Sequence, residues 1–393
     1  MRILLVSPTF PPRSFGGMTE ASYNLAKSLV ERGHSVTVYT TDVNDSRSRL
    51  PDGGKTKKID GIPVHYFKNI SNLLASKRLY LPIGMITAVK RYLKDFDIVH
   101  LNEFRSIQSI IIHHYAKKYC IPYVLQAHGS VGTYFQKGLI KKLFDILWGK
   151  RILRDAACVF ALTSVESNQY LQMGIDKDKI ETVPNGVNLA DYENLPQKGE
   201  FRKKYGLSDS EKILLFLARI NEIKGPDLLI NSFTRRIRKT NGVKLVIAGP
   251  DEGFMSVLRK LTGGISNSED ILFVGPLYGR DKLEAYVDAD IYILPSRYET
   301  FPMSVIEACA CSTPVIVTDR CGIAESIDGN TGIAVPYDED RLANAIMDML
   351  NDDDKRREYG ENGISLVKDH FNWQLLAARI EQLYSSILAK TGK

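Results

Sequence analysis

Two carboxylates with seven residues between them, Glu299 and Glu307, stand in the stretch Arg297-Tyr-Glu-Thr-Phe-Pro-Met-Ser-Val-Ile-Glu307. The run before it, Ile291-Tyr-Ile-Leu-Pro295, has the unbroken apolar character of a buried parallel strand. Strand, short loop and helix in that order place a helix N-terminus at the carboxyl edge of a sheet, where open α/β sheets bind ligands. The first amides of such a helix have no intrahelical acceptor and attract anions. Pro302 has no N–H, so this duty falls on the Met303 and Ser304 amides. Carboxylates beside an anion site repel the anion unless they serve as acceptors for hydroxyls. A nucleoside-diphosphate sugar offers both groups, a diphosphate for the helix end and hydroxyls for the acids.

Further residues fit the same ligand. Arg219 and Lys224, in Leu217-Ala-Arg-Ile-Asn-Glu-Ile-Lys-Gly225, leave another strand end and precede a Gly-Pro that opens a helix. Two cations there suit a diphosphate; the plainer reading is a solvated loop with an ion pair to Glu222. Gly16 and Gly17, after Ser14-Phe15, let backbone approach a ligand closely or make an ordinary turn. Their spacing is not G-x-G-x-x-G, so no nicotinamide or flavin fingerprint is present. His128, in Gln126-Ala-His-Gly129, ends a strand and is placed to meet a hydroxyl or a charged intermediate, although a lone His is more often structural. Val183-Pro-Asn-Gly-Val187 reads as a turn, Ala248–Gly253 as a glycine loop at a strand end, and Glu325 as a brace. No Asp-x-Asp or His cluster suggests a metal site.

The elements that position these residues form two series. Apolar runs at 3–7, 36–40, 64–67, 98–101, 123–127 and 158–162 alternate with helical periodicities. A second series runs through 213–217, 244–248, 271–274, 291–294, 315–318 and 333–335. Each predicts a doubly wound parallel sheet. The first domain is placed at 1–190 and the second at 208–370. The charged stretch 188–207, with Pro196 and Gly199, is read as the linker. The tail, 371–393, carries Leu375, Leu376, Ile380, Leu383 and Ile387 at helical spacing, and it follows the last strand of the second series. It is therefore expected to pack back on the first domain.

Composition narrows the class. With 393 residues, 44% of them hydrophobic, two sizeable cores are possible. Five cysteines give no disulfide framework; Cys309 and Cys311 read as core residues in a reducing compartment. No apolar run reaches the ~20 residues that span a bilayer, and the first residues read as a strand rather than a secretory signal. The expectation is a cytoplasmic protein, with docking on the inner membrane face open. The net charge of +6 divides into 26 Lys+Arg against 15 Asp+Glu in residues 1–190, or +11, and 26 against 31 in the remainder, or −5. The basic half suits an anionic membrane or a phosphorylated acceptor, or it is ordinary scatter. Within it, Lys137–Arg154 alternates cations with large apolar residues. It reads either as a membrane-surface helix or as a surface helix with its apolar face on the core.

With these residues assembled, the chain resembles the retaining glycosyltransferases of family 4, whose fold is GT-B. The resemblance covers nearly all of it. It rests on Arg219, Lys224-Gly225, the Glu299/Glu307 pair, Glu307-Ala-Cys-Ala, Thr313-Pro-Val-Ile-Val, Gly322-Ile-Ala-Glu325 and Gly329-Asn-Thr-Gly332. Gly16-Gly17 and His128-Gly129 match the family's N-terminal signals. The resemblance implies two Rossmann-like domains facing across a cleft, with the acceptor mainly on the first and the donor mainly on the second. Arg219 and Lys224 would hold the donor diphosphate, Glu299 the sugar hydroxyls and Glu307 the ribose. His128 would lie near the donor sugar, and Gly16 and Gly17 would border the diphosphate and acceptor. It further implies a metal-independent hexosyl transfer from a UDP- or GDP-linked sugar to a glycan or lipid-linked hydroxyl, as in cell-envelope glycan, glycolipid or polysaccharide synthesis. No nucleic-acid partner is implied. The alternatives are a nucleotide-sugar epimerase of the same fold and a non-catalytic donor-binding subunit. The chain departs from the family pattern at Pro302, where Gly is frequent, and at Ser312, where Gly is usual.

Overall fold

The computed structural model describes residues 1–12, 16–45, 48–51, 53–76, 79–132, 138–240, 242–263 and 268–391. Ser14, Phe15 and Lys137 lie outside the described residues. The chain divides into two units: Met1–Asn185 with the chain from Trp373 onward, and Gly186–Asn372.

The first unit is built on β1 (Arg2–Val6), β2 (Ser35–Thr41), β3 (Thr56–Ile59), β4 (Ile62–Phe67), β5 (Ile98–Leu101), β6 (Tyr123–Gln126), β7 (Cys158–Ala161) and β8 (Ile180–Thr182). They form one sheet in the order β3-β4-β2-β1-β5-β6-β7-β8. Every pair is parallel except β3–β4, a hairpin turned by Asp60-Gly61 with both φ angles positive. The apolar runs do not predict β3 or β8. β3 carries exposed Lys57 and Lys58 on an edge, which discourages further strand pairing, and β8 is three residues long, two half-buried and one exposed.

Helices cover both faces of this sheet. One core joins Ile3, Leu5 and Val38 to the helix Gly17–Glu31 and to Trp373, Leu376, Ile380 and Tyr384 of the helix Trp373–Thr391. The tail thus completes the first core. The other core joins Leu4, Val99 and Leu125 to helices Met85–Tyr92, Ile107–Tyr119, Lys150–Asp155 and Ser164–Gln172.

The second unit is built on β9 (Lys212–Leu217), β10 (Val243–Ala248), β11 (Ile271–Gly275), β12 (Ile291–Leu294), β13 (Val315–Thr318) and β14 (Gly332–Val335). The order is β11-β10-β9-β12-β13-β14, and all pairs are parallel. Counted within the unit this is 3-2-1-4-5-6, the doubly wound arrangement whose order reverses between β9 and β12. Residues of β9, β12 and β13 such as Leu214, Ile293 and Ile316 are fully buried, as a sheet covered on both faces requires.

One expectation changes. Residues 188–207 are not a free linker. They contain the short helices Leu189–Tyr192 and Glu200–Tyr205, and Arg202, buried in the second unit, bonds Asp290 Oδ2 at 3.1 Å and the carbonyl of Ser208 at 2.9 Å. The Asp288 carboxylate takes the Arg202 N–H at 2.9 Å. The low apolar content that suggested a linker reflects anchoring through a buried cation. Pro302 is the residue before the helix Met303–Ala310. At Ser312 the backbone keeps the left-handed form that glycine favours, with φ +60°.

Candidate functional site

The loop after β9 and the loop after β12 meet at the order reversal of the second sheet. Gly225, with φ +68°, makes the approach possible: a Cβ there would lie 2.0 Å from the Pro295 carbonyl oxygen. The Arg297 N–H donates to the Ile223 carbonyl at 2.7 Å, and the Arg297 guanidinium grips Asp227 through two bonds of 2.9 and 2.6 Å. The Asp227 carboxylate raises the Arg297 pKa, so this clamp stays charged. Across the clamp, Lys224 Nζ is ion-paired to Glu299, and both side chains are largely buried. A pair this sheltered is screened far less than a surface pair.

Glu299 is fixed from its other side. Its N–H donates to the Arg320 carbonyl at 3.1 Å and its carbonyl accepts from Gly322 at 2.8 Å. The loop after β13 therefore braces it through backbone, while Glu325, expected as the brace, is exposed. Beyond Glu299 begins the helix Met303–Ala310. Val305 N–H bonds the Pro302 carbonyl, while the Met303 and Ser304 amides of the first turn have no acceptor among the described residues. Tyr292 OH lies 2.7 Å from Ser304 Oγ and 3.1 Å from the Leu217 carbonyl, tying this helix end to the end of β9.

Glu307 lies one turn further and is buried. Lys282 Nζ donates to Oε1 at 2.8 Å and Tyr286 OH to Oε2 at 3.0 Å. Each oxygen keeps a lone pair for a further donor, so the carboxylate is held without being saturated. Arg219 is paired to a neighbouring loop. Its guanidinium bonds Glu252 at 2.7 and 2.9 Å, and the side chain is about half exposed. The partner is Glu252, from the loop after β10, rather than Glu222. Gly249 sets that loop tight against Ala218, whose oxygen a Cβ would meet at 1.8 Å. The structure thus brings Lys224, Glu299 and the Met303 and Ser304 amides to one sheet edge and holds Arg219 toward the neighbouring loop.

In the first unit, Gly16 precedes the helix Gly17–Glu31 with φ +107°, and its carbonyl accepts from Thr19 and Glu20. His128 follows β6 in the left-handed region, with φ +49°. Its Nε2 lies 2.9 Å from Asn102 Oδ1, at the end of β5. Burial lowers the His128 pKa to about 4, so the ring is neutral at pH 7 and Nε2–H donates. Nδ1 of His128 and Nδ2 of Asn102 are shielded from solvent and have no partner among the described residues. In the neutral ring Nδ1 is an acceptor, and Asn102 Nδ2 is a donor.

Sequence reasoning missed Glu166. Fully buried on the helix Ser164–Gln172, its carboxylate accepts from Gly129 N–H at 2.6 Å and from Leu162 N–H at 2.8 Å. It thereby fastens the His128-Gly129 loop to the end of β7. Burial raises its pKa to about 7 against those two bonds. Lys282, Tyr286, Tyr292 and Asp227 were missed as well. Only Asp227, directly after Gly-Pro, carried a local signal. Among the described residues no three His, Cys, Asp or Glu side chains come together to hold a metal ion, and all five cysteines are free.

Comparison with known proteins bears on this arrangement. The family model "Glycosyl transferases group 1" matches residues 197–366, and "Glycosyltransferase Family 4" matches residues 15–191. An uncharacterised glycosyltransferase of Methanocaldococcus jannaschii is 25% identical over 410 aligned positions, covering all of both chains. D-inositol 3-phosphate glycosyltransferase of Nocardia farcinica is 30% identical over 248 residues, 61% of this chain and 54% of that one. Among solved structures, Anabaena HepE in complex with UDP has a TM-score of 0.79 at 18% identity, over 98% of this chain and 100% of the other.

Proposed function

The chain belongs to the family 4 glycosyltransferases and has the GT-B fold, and we propose that it moves a sugar from a nucleoside-diphosphate donor to a hydroxyl acceptor with retained configuration and without a metal ion. The observation that carries this reading is the meeting of Lys224 and Glu299 at the order reversal of the second sheet, beside the first-turn amides of Met303 and Ser304. Donor binding exchanges partners in a pair that already exists. The diphosphate takes the Lys224 ammonium and the helix amides, and Glu299 turns to the sugar hydroxyls. Glu307, oriented by Lys282 and Tyr286, accepts from the ribose hydroxyls. Arg219 leaves the solvent-accessible Glu252 for the phosphate, an exchange that costs little because an exposed ion pair is weak.

The reaction breaks the bond between the anomeric carbon and the phosphate oxygen. It forms one from that carbon to the acceptor oxygen on the same face. The acceptor proton passes to the departing phosphate, whose charge Lys224, Arg219 and the helix end stabilise. The first unit supplies the acceptor side, with Gly16 and Gly17 at its backbone rim. Neutral His128, donating to Asn102, keeps Nδ1 as an acceptor for a sugar hydroxyl. Anabaena HepE has been crystallised with UDP and with UDP-glucose, which supports a uridine donor. The name of the Nocardia relative supports a polyol or phosphorylated acceptor.

The test is transfer from a panel of UDP- and GDP-sugars to polyol and lipid-linked acceptors, with the product anomer read by NMR. We expect an α-linked product from an α-linked donor, and a loss on the order of a hundredfold in kcat/KM for Lys224→Ala. An inverted product, or full activity in that variant, would overturn the assignment.

A further inference from the structure

We propose that the helical segment 138–155 of the first unit, with the neighbouring helix Ile107–Tyr119, is a docking surface for an anionic phospholipid bilayer. The segment runs through Gly138–Phe144, a wider π turn at Asp145–Gly149, and Lys150–Asp155. Its inward side is settled: Asp145, Gly149, Ile152 and Leu153 are buried. The Asp145 carboxylate is clamped by Arg105 through bonds of 2.9 and 2.7 Å, both side chains nearly out of solvent. This buried pair fixes which side faces the core. The apolar side chains therefore have no freedom to turn inward.

The outward side is the opposite of what a water-facing helix carries. Leu139, Ile140, Leu143, Ile146 and Leu147 are 85, 65, 58, 70 and 44% exposed. Positions 139, 143, 146 and 147 recur at helical spacing on one face. Scattered exposed leucines need no explanation, but a contiguous stripe does. The reading in which this helix turns its apolar face to the core is thus excluded for these residues.

Cations frame the stripe. Lys142, Lys150 and Arg151 are exposed and make no ion pair among the described residues. Where the segment meets the helix Ile107–Tyr119 there is an open groove of about 630 Å³, lined by Leu147, Trp148, Arg151, His114, Lys117 and Lys118. Lys117 is already paired to Asp155 at 2.7 Å, which leaves Lys118 and Arg151 as the lysine and arginine of its lining without an ion pair among the described residues. Apolar side chains beside a cationic groove match acyl chains beside phosphate headgroups. A second copy of this chain would bring like charge against like, since residues 1–190 carry +11. No helix among the described residues is long and apolar enough to cross a membrane. None of this depends on the donor assignment, which concerns residues of the second unit.

The experiment is flotation of the full chain with vesicles of equal parts phosphatidylglycerol and phosphatidylcholine, against pure phosphatidylcholine. Sedimentation velocity of the free protein accompanies it. Wild type should be monomeric and should float with the anionic vesicles at low salt, and less with the neutral ones. The triple variant Lys142→Glu/Lys150→Glu/Arg151→Glu should partition on the order of a hundredfold more weakly. Ile140→Glu/Ile146→Glu should lose flotation while melting as wild type does, because both sites are exposed. Equal flotation with both vesicle types, flotation of the Ile variant at the wild-type level, or failure of wild type to float would each overturn the proposal. So would a dimer that the Ile variant dissolves, since a second copy would then cover the stripe.

Discussion

Lys224 and Glu299 are 75 positions apart and reach each other only because two loops touch through Gly225 and Pro295. At this scale the consequences are charge and protons. Glu166 is the clearest case. Its folded pKa, about 7, is above the ordinary carboxyl value because burial penalises the charge. Between about pH 4.5 and 7 the native state holds a proton that the unfolded chain has released. Rising pH through that window therefore costs stability, and the cost is constant above it. Wild type should lose melting temperature relative to Glu166→Gln as pH rises across this window and run parallel to it at higher pH. A gap that stays constant from pH 5 to 8 would show that the carboxyl is not titrating there. The motif residues were legible because their types suit a diphosphate and hydroxyls. Glu166 was not, since a lone Glu in Thr163-Ser-Val-Glu-Ser167 looks like an ordinary first-turn acid. What sets it apart is burial against two strand ends, a tertiary fact.

Elements decide how exactly these groups are placed. The loop after β9 owes its course to a left-handed Gly225 pressed on a backbone carbonyl. Gly225→Ala faces both the positive φ and a clash with an atom that cannot rotate away. We expect a folded protein with a lower melting temperature and turnover down at least about tenfold, because small displacements of a charged group cost rate steeply. Wild-type activity in that variant would mean the contact between the loops is unimportant. Most strands were legible at this scale, since buried parallel strands read as apolar runs. β3 and β8 were not, being short, polar and at edges, although Asp60-Gly61 carried the hairpin signal. The stretch 188–207 misled for a related reason. Its anchor is one buried arginine, and composition alone reads charge as exposure.

For the whole molecule, the chain closes on itself. Its last helix supplies Trp373, Leu376, Ile380 and Tyr384 to the core of the first unit. Each such side chain is worth roughly 1.5–3 kcal/mol when buried, so together they rival the ~5–15 kcal/mol that holds a domain. A chain ending at residue 372 should therefore be insoluble or lack cooperative unfolding of the first unit. Recovery of a soluble protein with the wild-type melting profile would show the helix to be accessory. Helical spacing made this helix visible, and its position after the last strand suggested where it returns. The proposed donor site belongs to the second unit, whose sheet order reverses beside Lys224 and Glu299. On the proposed reading this edge grips a nucleoside diphosphate. Calorimetric titration of UDP, with GDP alongside, into wild type and Lys224→Ala tests it most directly. Wild type should bind one nucleotide saturably, and the variant should bind it at least about tenfold more weakly. Equal affinity in the two proteins, or no binding of either nucleotide to wild type, would contradict it.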